Sequence, residues 1–457
     1  MMIGPGALLV AFDRAVAELA LFAAVVILLG GVDDVLMDLV WWRVRRREPN
    51  RADLPAAPPL PLAVFVPAWD EQHVIGAMLR ATLTRYDHPD YRLYVGCYPN
   101  DPGTLDAVAE VASHDARVRR VVVTHDGPTT KADCLNQLWR ALVSDDVDSG
   151  RVTAAIVLHD AEDVVDPAEL RVFDDHLRDA ALVQLPVVPL IDARRRLVSG
   201  HYADEFAESH RRDLAVRSAL EAAVPLAGVG CAIRRDALER LEAGGGAPFE
   251  PHSLTEDYEL GLRVASLGLR ARFVRWRDSG GRRLIATRAY FPDTIDTAVR
   301  QKARWVTGIA LSGWDRTGWG ARAHAAEYWM RMRDRRGLLA VAALVAAYLA
   351  LVGWGISSLA HAVTRSEAAA VGPGLRVLLM LNTGLLCWRL SARALHTAAE
   401  HGWREGCWSL PRALVANYIA MLAARRALVR YVATLLGAAP LWDKTAHRFP
   451  EQLPDVS

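Results

Sequence analysis

From Gly337 to Ala360 the chain runs without a single charged side chain. At 1.5 Å per residue, a helix of that length can cross a hydrocarbon core of about 30 Å. Any fold must therefore accommodate a segment that prefers lipid. Arg331, Arg333, Arg335 and Arg336 stand just before it. Positive residues mark the cytoplasmic side of a membrane, so this span is expected to leave the cytoplasm. A weaker apolar stretch, roughly 373–390, is expected to return, with Arg376 and Arg389 snorkelling near the two interfaces. Near the N-terminus, Leu19 to Val32 is apolar, Asp33 and Asp34 interrupt it, and Trp41 and Trp42 precede Arg43, Arg45, Arg46 and Arg47. An aromatic pair beside a basic cluster fits a cytoplasmic membrane boundary. The acidic start lacks the basic leader of a signal peptide. Residues 412–436 are apolar but hold Arg425, Arg426 and Arg430 centrally. Three central arginines oppose spanning and favour a helix lying on the inner face.

These segments divide the 457 residues into four expected regions. They are an N-terminal membrane segment (1–42), a cytoplasmic domain (43–336), two transmembrane helices (337–392), and interfacial helices with a tail (393–457). The whole is expected to sit as a multi-pass protein in a bacterial inner membrane. Lys plus Arg and Asp plus Glu nearly cancel, leaving a net charge of +1, so nothing global points to nucleic acid. The five cysteines are scattered without metal-type spacing and read as buried, reduced thiols.

After a linker with Pro55, Pro58, Pro59 and Pro61, short apolar runs alternate with helical periodicity. Strands are expected at Leu62–Val66, Leu93–Cys97, Val118–Val123 and Ala154–Leu158. Helices are expected at Val74–Thr84, Leu105–Ala112 and Ala132–Val143. Such alternation predicts a doubly wound α/β sheet, whose ligands bind beyond the carboxyl ends of the strands. Polar residues fall at those ends: Asp70 and Glu71, Asn100 and Asp101, Lys131, then Asp160, Glu162 and Asp163. No GxGxxG follows a strand, which weakens a dinucleotide-binding alternative.

The carboxylates of His159-Asp-Ala-Glu-Asp163 suit a hard divalent cation that keeps positions open for substrate phosphates, although Asp166-Pro167 also reads as a helix start. Thr255-Glu256-Asp257 is a poor capping box, and Asp257 is the candidate base. In Gln301-Lys-Ala-Arg304-Trp305, Arg304 suits a diphosphate, and Trp305 suits a sugar face or the membrane surface.

Taken in order, these motifs resemble a family 2 glycosyltransferase with the nucleotide-diphospho-sugar transferase (GT-A) fold, of the membrane group related to cellulose and hyaluronan synthases. The match is carried by Pro67-Ala-Trp-Asp70-Glu71, Asn100-Asp101, Lys131-Ala-Asp-Cys-Leu-Asn136, Asp160-Ala-Glu162, Thr255-Glu-Asp257 and Gln301-x-x-Arg304-Trp305. Pro128-Thr-Thr-Lys131 and His159–Asp163 bring it nearest to the NfrB-like, phage-adsorption-protein-B subgroup. The resemblance implies a Rossmann-like GT-A domain flanked by transmembrane and interfacial helices. It implies an inverting transfer, of hexosyl or N-acetylhexosaminyl type, from a nucleotide-sugar donor to a glycan or lipid acceptor in exopolysaccharide or cell-envelope synthesis, with an outer-membrane export partner as a further implied contact.

By the same resemblance, Pro67, Asp70, Glu71 and Asp101 hold the nucleotide, and Lys131 approaches the ribose or diphosphate. Asp160 and Glu162 hold Mg²⁺ or Mn²⁺, with Asp160 also near the donor. Asp257, with Glu256 beside it, is the general base. Gln301, Arg304 and Trp305 close the site, and Gly228 and Gly230 line the acceptor side. Pro440-Leu-Trp442-Asp-Lys444-Thr-x-His447 matches a C-terminal element to which no role is assigned. Glu162 departs from the usual second Asp, and Trp69-Asp70 from the usual aromatic-Asn. The rival reading is a non-catalytic membrane scaffold or phage-receptor assembly factor with a glycosyltransferase-like domain; a nucleotidyltransferase leaves the Thr-Glu-Asp and Gln-x-x-Arg-Trp motifs unexplained.

Overall fold

The computed structural model describes residues 5–45, 58–278, 281, 283–320, 324–368, 370–437 and 447–453. Arg46, Arg47, Pro55 and positions 440–446 of the C-terminal element lie outside the described residues.

A long helix, α1 (Pro5–Val44), comes first. Then β1 (Leu62–Pro67), α2 (Ile75–Arg85), β2 (Tyr91–Cys97), α3 (Pro102–His114), β3 (Val118–Val122), α4 (Lys131–Ser149) and β4 (Ala155–Leu158) alternate as the periodicity predicts. The chain continues through α5 (Glu169–His176), β5 (Leu182–Gln184), β6 (Val187–Leu190), α6 (Arg196–Glu208), α7 (Leu214–Ala219), β7 (Cys231–Arg234), α8 (Arg235–Ala243) and α9 (Glu256–Ser266). Next are β8 (Ala271–Phe273), β9 (Thr287–Tyr290), α10 (Ile295–Val306), α11 (Ser312–Thr317) and α12 (Ala325–Arg335). Three long helices follow: α13 (Gly337–Thr364), α14 (Pro373–His401) and α15 (Trp403–Leu435).

Seven strands form one sheet in the order β3-β2-β1-β4-β7-β5-β8, and β6 pairs with β9 in a separate parallel ribbon. Successive side chains of a strand point to opposite faces. Val64 and Val66 therefore join Ile75, Met78 and Phe173 on one side, while Ala63 and Phe65 join Leu135, Leu138 and Trp139 on the other. Burial on both faces is why β1 reads as a continuous apolar run. The sheet departs from the all-parallel expectation at β7, which runs antiparallel to β4 and β5. The chain reaches β7 at the carboxyl end of β4, where the Gly230 N–H donates to the Leu158 carbonyl at 3.0 Å. From there it can only run back along its neighbour.

α1, α13 and α14 are each long and apolar enough to cross a membrane. Small residues, Ala343, Ala346, Ala350 and Gly353, form the buried stripe of α13. A Cβ at Gly353 would stand 2.6 Å from Val16 on α1, so the backbones approach closely there. Asp33 and Asp34 interrupt the apolar run of α1 because they receive cations. Arg336 reaches both at 2.7 Å, Arg389 reaches Asp34 at 3.0 Å, and Arg333 pairs with both. α14 runs past 392, the expected end of the spans, to His401. α15 is a single helix that lays Ile419, Ala423 and Ala427 against α10 and turns Leu414, Val429 and Leu435 outward.

Candidate active site

A cavity of roughly 360 Å³ opens at the carboxyl ends of β1 and β4. Pro67, Glu71, Lys131, Asp160, Glu162, Gly228, Glu256, Asp257, Gln301, Arg304 and Trp305 all line it. Residues more than 230 positions apart in the chain thus share one wall-to-wall space.

Asp160 and Glu162 follow β4 on a tight turn. His159 secures that turn from below: its Nδ1 lies 2.9 Å from Asp163 and its Nε2 2.7 Å from Glu169, with no exposure. Burial disfavours a charged imidazole, but Glu169 and Asp163 outweigh it and lift His159 to about 10. Asp163 also accepts from the Asp160 N–H at 3.0 Å. The loop is therefore held by buried groups that leave Asp160 and Glu162 facing the cavity.

Lys131 begins α4, whose N-cap Thr130 accepts from the Asp133 N–H. Its Nζ sits 2.5 Å from Asp160 and donates to the Gly228 carbonyl at 3.1 Å. Burial works against this ammonium, but Asp160, Glu256 and Asp257 together raise its pKa and keep it charged. Gly228 has φ 78°, and a Cβ there would lie 2.7 Å from an Asp257 oxygen. A glycine is required for both reasons.

Glu256 and Asp257 form the first turn of α9, where the helix N-terminus favours negative charge. Burial and the adjacent Asp257 nonetheless push Glu256 up to about 7. Burial also raises Asp257, against the pull of Lys131 and Arg304. Glu162 is pushed up to about 8 by burial and by Asp160, Asp163 and Glu71, with His447 opposing.

Across the cavity, α10 supplies Gln301, Arg304 and Trp305. The Gln301 Oε1 is buried and has no hydrogen-bond partner among the described residues. Trp305 packs near Tyr202 and Phe206 of α6, at ring distances of 6.0 and 6.3 Å. The intervening Lys302 turns away to pair with Glu205.

Three nominated residues do not line the cavity. Asp101 caps α3, accepting from the Thr104 N–H, and also accepts from the Asp70 N–H at 2.6 Å. Asp70 is exposed at φ 54°. Gly230, at φ 58°, lies under Thr287, where a Cβ would collide with the hydroxyl. Two motif residues are structural clamps. Asn100 exchanges two 2.8 Å hydrogen bonds with Gly127, and Asn136 bonds the N–H and carbonyl of Phe249.

His447 is the functional candidate that the sequence left without a role. Its Nδ1 lies 2.7 Å from Glu71 and 3.3 Å from Glu162. Burial opposes its charge, yet Glu162 and Glu71 raise it to about 9. Its motif was visible, but no local pattern ties a tail residue to a loop 376 positions earlier. Trp69 and Tyr98, in edge contact at 5.2 Å, form the wall near Cys134.

Among the described residues, no group of three or more His, Cys, Asp and Glu side chains already forms a metal shell. The donor set still fits a divalent cation. Among the described residues the buried Glu162 Oε2 makes no hydrogen bond and faces the charged His447 ring at 3.3 Å, and Asp160 and Glu162 offer the carboxylate oxygens such an ion takes.

A mixed sheet with an acidic cavity at its carboxyl edge and a Gln-x-x-Arg-Trp helix closing over it defines a GT-A glycosyltransferase fold. The family described as glycosyltransferase like family 2 matches residues 58–308, and the chain belongs to that family. Bacteriophage adsorption protein B of Escherichia coli (strain K12) is 36% identical over 469 residues, covering 96% of this chain. Bacteriophage N4 adsorption protein B of Escherichia coli O157:H7 aligns to the same extent. The chain spans 63% of the length of these curated relatives. Among solved structures, the mannosyltransferase PcManGT of Pyrobaculum calidifontis, in complex with GDP-Man and Mn²⁺, superposes with a TM-score of 0.57 at 18% identity. That superposition covers 90% of this chain and 99% of the other.

Proposed function

We propose that this chain is a membrane-bound inverting glycosyltransferase, moving a hexosyl or N-acetylhexosaminyl group from a nucleoside-diphosphate sugar to a glycan or lipid acceptor in exopolysaccharide or cell-envelope synthesis. The observation that carries this reading is the convergence of Lys131, Asp160, Glu162, Asp257, Gln301 and Arg304 on one cavity. A scaffold has no need of several carboxylates crowded into one cavity and lifted towards neutral pH, because they cost stability unless protons or cations are handled there.

In this reading Trp69, Tyr98 and Glu71 border the nucleoside, and Lys131 and Arg304 face the diphosphate. Asp160 and Glu162 would hold Mg²⁺ or Mn²⁺, which supplies charge neutralisation for the departing diphosphate, with His447 beside them as a further positive charge. Asp257, its pKa raised, accepts the proton of the acceptor hydroxyl as that oxygen attacks the anomeric carbon from the face opposite the leaving group. Arg304 and Lys131 keep Asp257 able to ionise. Trp305 and Phe206 offer apolar faces to the acceptor sugar. The basic residues Arg331, Arg333, Arg335 and Arg336 before α13 support a cytoplasmic position for the domain in the inner membrane. The relatives' names support a cell-envelope setting.

The test is release of nucleoside diphosphate by the full chain in detergent, across a panel of nucleotide sugars with Mn²⁺ or Mg²⁺ and with glycan or lipid acceptors. Release from one donor class, abolished by chelation, is expected. No release across the whole panel would overturn the proposal.

A further inference from the structure

Behind the β6–β9 ribbon lies a second cavity, of roughly 640 Å³. Val187 and Ala289 line the first cavity, whereas Val188 and Arg288 line this one. Its other walls are Arg277, Asp278, Arg283 and Leu284, and the elbow where α14 ends and α15 begins.

Arginine heads dominate it, and its carboxylates are already committed. Glu400 receives Arg211 at 3.1 Å and Arg275 at 2.6 Å from outside the cavity. Glu405 receives Arg412 at 2.7 Å, leaving Arg196 at 3.3 Å as its second cation. Asp278, which lines the cavity beside Arg277, accepts from the Arg283 backbone N–H. Asp166 is shared by Arg283 and Arg288, the latter at 3.7 Å. Among the described residues, the buried Nε of Arg283 has no hydrogen-bond partner, and the buried Nε of Arg196 has none nearer than Glu405 at 3.3 Å. Burial, together with neighbouring Arg283 and Arg85, pushes Arg288 below its usual range against the pull of Asp166. Arg288 gives both terminal nitrogens to the Ala286 and Leu284 carbonyls and contributes charge alone. A partly buried cluster of guanidinium groups, with the Arg283 Nε unspent beside a cavity of this size, is the chemistry that recognises phosphate.

We propose that the cavity walled by Arg196, Arg283 and Arg288 binds a phosphate-bearing anion, at a site separate from the acidic cavity. Its volume exceeds what one inorganic phosphate needs. The ligand is either the headgroup of an anionic lipid, reached where α14 leaves its apolar run, or a soluble phosphate ester. The site does not depend on the transferase reading. It stands on the strand that continues through Ala289 and Tyr290 into the wall of the first cavity.

The test uses the full chain in neutral detergent with chelator present, inorganic pyrophosphate as the soluble probe, and chloride at equal ionic strength as the control. Saturable thermal stabilisation is expected with pyrophosphate alone. Arg196→Gln and Arg283→Gln should each weaken that binding about tenfold, as expected for a lost charge-assisted hydrogen bond. Lys131→Gln, in the first cavity, should not. Arg196 is part-exposed, so its variant is expected to fold even if the Arg283 variant does not. The same titration in phosphatidylcholine vesicles, with and without phosphatidylglycerol, separates the sources. Loss of the pyrophosphate response only when phosphatidylglycerol is present identifies a headgroup, and persistence identifies a soluble ligand. No pyrophosphate response in detergent, a response unaltered in both arginine variants, or one abolished by Lys131→Gln would overturn the proposal.

Discussion

On α6 each carboxylate meets cations of its own; in the acidic cavity carboxylates crowd one another around fewer cations. Asp204 has no exposure and accepts from Arg412 at 2.7 and 3.0 Å, Arg393 at 3.2 Å and Thr397 at 3.2 Å. Burial lifts it only to about 6 against Arg393 and Arg412. Glu205 is penalised by burial as well, yet Lys302 and His201 bring it down to about 2. Glu208 receives Arg389 at 2.9 Å. In the cavity Glu162, Glu256 and Asp257 are raised as well, and there neighbouring carboxylates add to the effect of burial. The first arrangement fixes α6 between the long helices and the Gln-x-x-Arg-Trp helix. The second keeps repulsion that Lys131 and His447 relieve only in part, which a fold tolerates where a cation or substrate supplies the missing charge.

The sharpest way to break this contrast is Asp257→Asn. Loss of the proton acceptor should lower transfer by about 10²–10⁴-fold, while relieved repulsion leaves the thermal midpoint unchanged or higher. Turnover near the parent's, measured by nucleoside diphosphate release, would remove Asp257 from its role. Next in size, Asp204→Ala leaves Arg393 and Arg412 buried without their shared partner and should destabilise by about 3–5 kcal/mol in a denaturant melt. A loss under about 1 kcal/mol would mean that Glu405 and Glu208 absorb both arginines, and that α6 is not held as argued.

Glu256 gives a pH signature of the cavity. Its folded pKa, about 7, lies above its ordinary 4.5. Between those values the folded state keeps a proton that the unfolded chain has released, so stability falls as pH rises through that window. In metal-free protein, Glu256→Gln should flatten this fall in midpoint; an unchanged slope would count against the assignment. The smallest effect belongs to Lys302→Met. Glu205 is part-exposed, so loss of the pair should cost at most about 1 kcal/mol. Because Glu205 is depressed to about 2, that contribution is present above 4.5 and is lost as pH falls through 2. The gap between parent and variant should therefore close in acid, and a gap that persists at pH 2 would point to lost packing instead.

Much of the framework was legible from residues alone. Burial on both faces made β1, β2 and β4 apolar runs, and helical periodicity placed α2 and α3 within a few residues and the start of α4 within one. The uncharged run of α13 could scarcely be anything other than a span candidate. Asp160 and Asp257 are nominated because one follows a strand and the other starts a helix, and Arg304 because a guanidinium in Gln-x-x-Arg-Trp suits a diphosphate.

What only the tertiary structure decided are the meetings between distant segments. Asp33 and Asp34 look like interruptions of a lipid-facing helix until Arg333, Arg336 and Arg389 arrive from two other helices. Asn100 and Asp101 look like ligands but spend their polar atoms on Gly127, Asp70 and a helix cap. His447 enters the acidic cavity from a tail whose local pattern carries no sign of it. Periodicity encodes which face of an element is buried; it does not encode which charged partner waits there. That depends on contacts between segments remote in sequence, and those exist only once the chain has closed on itself.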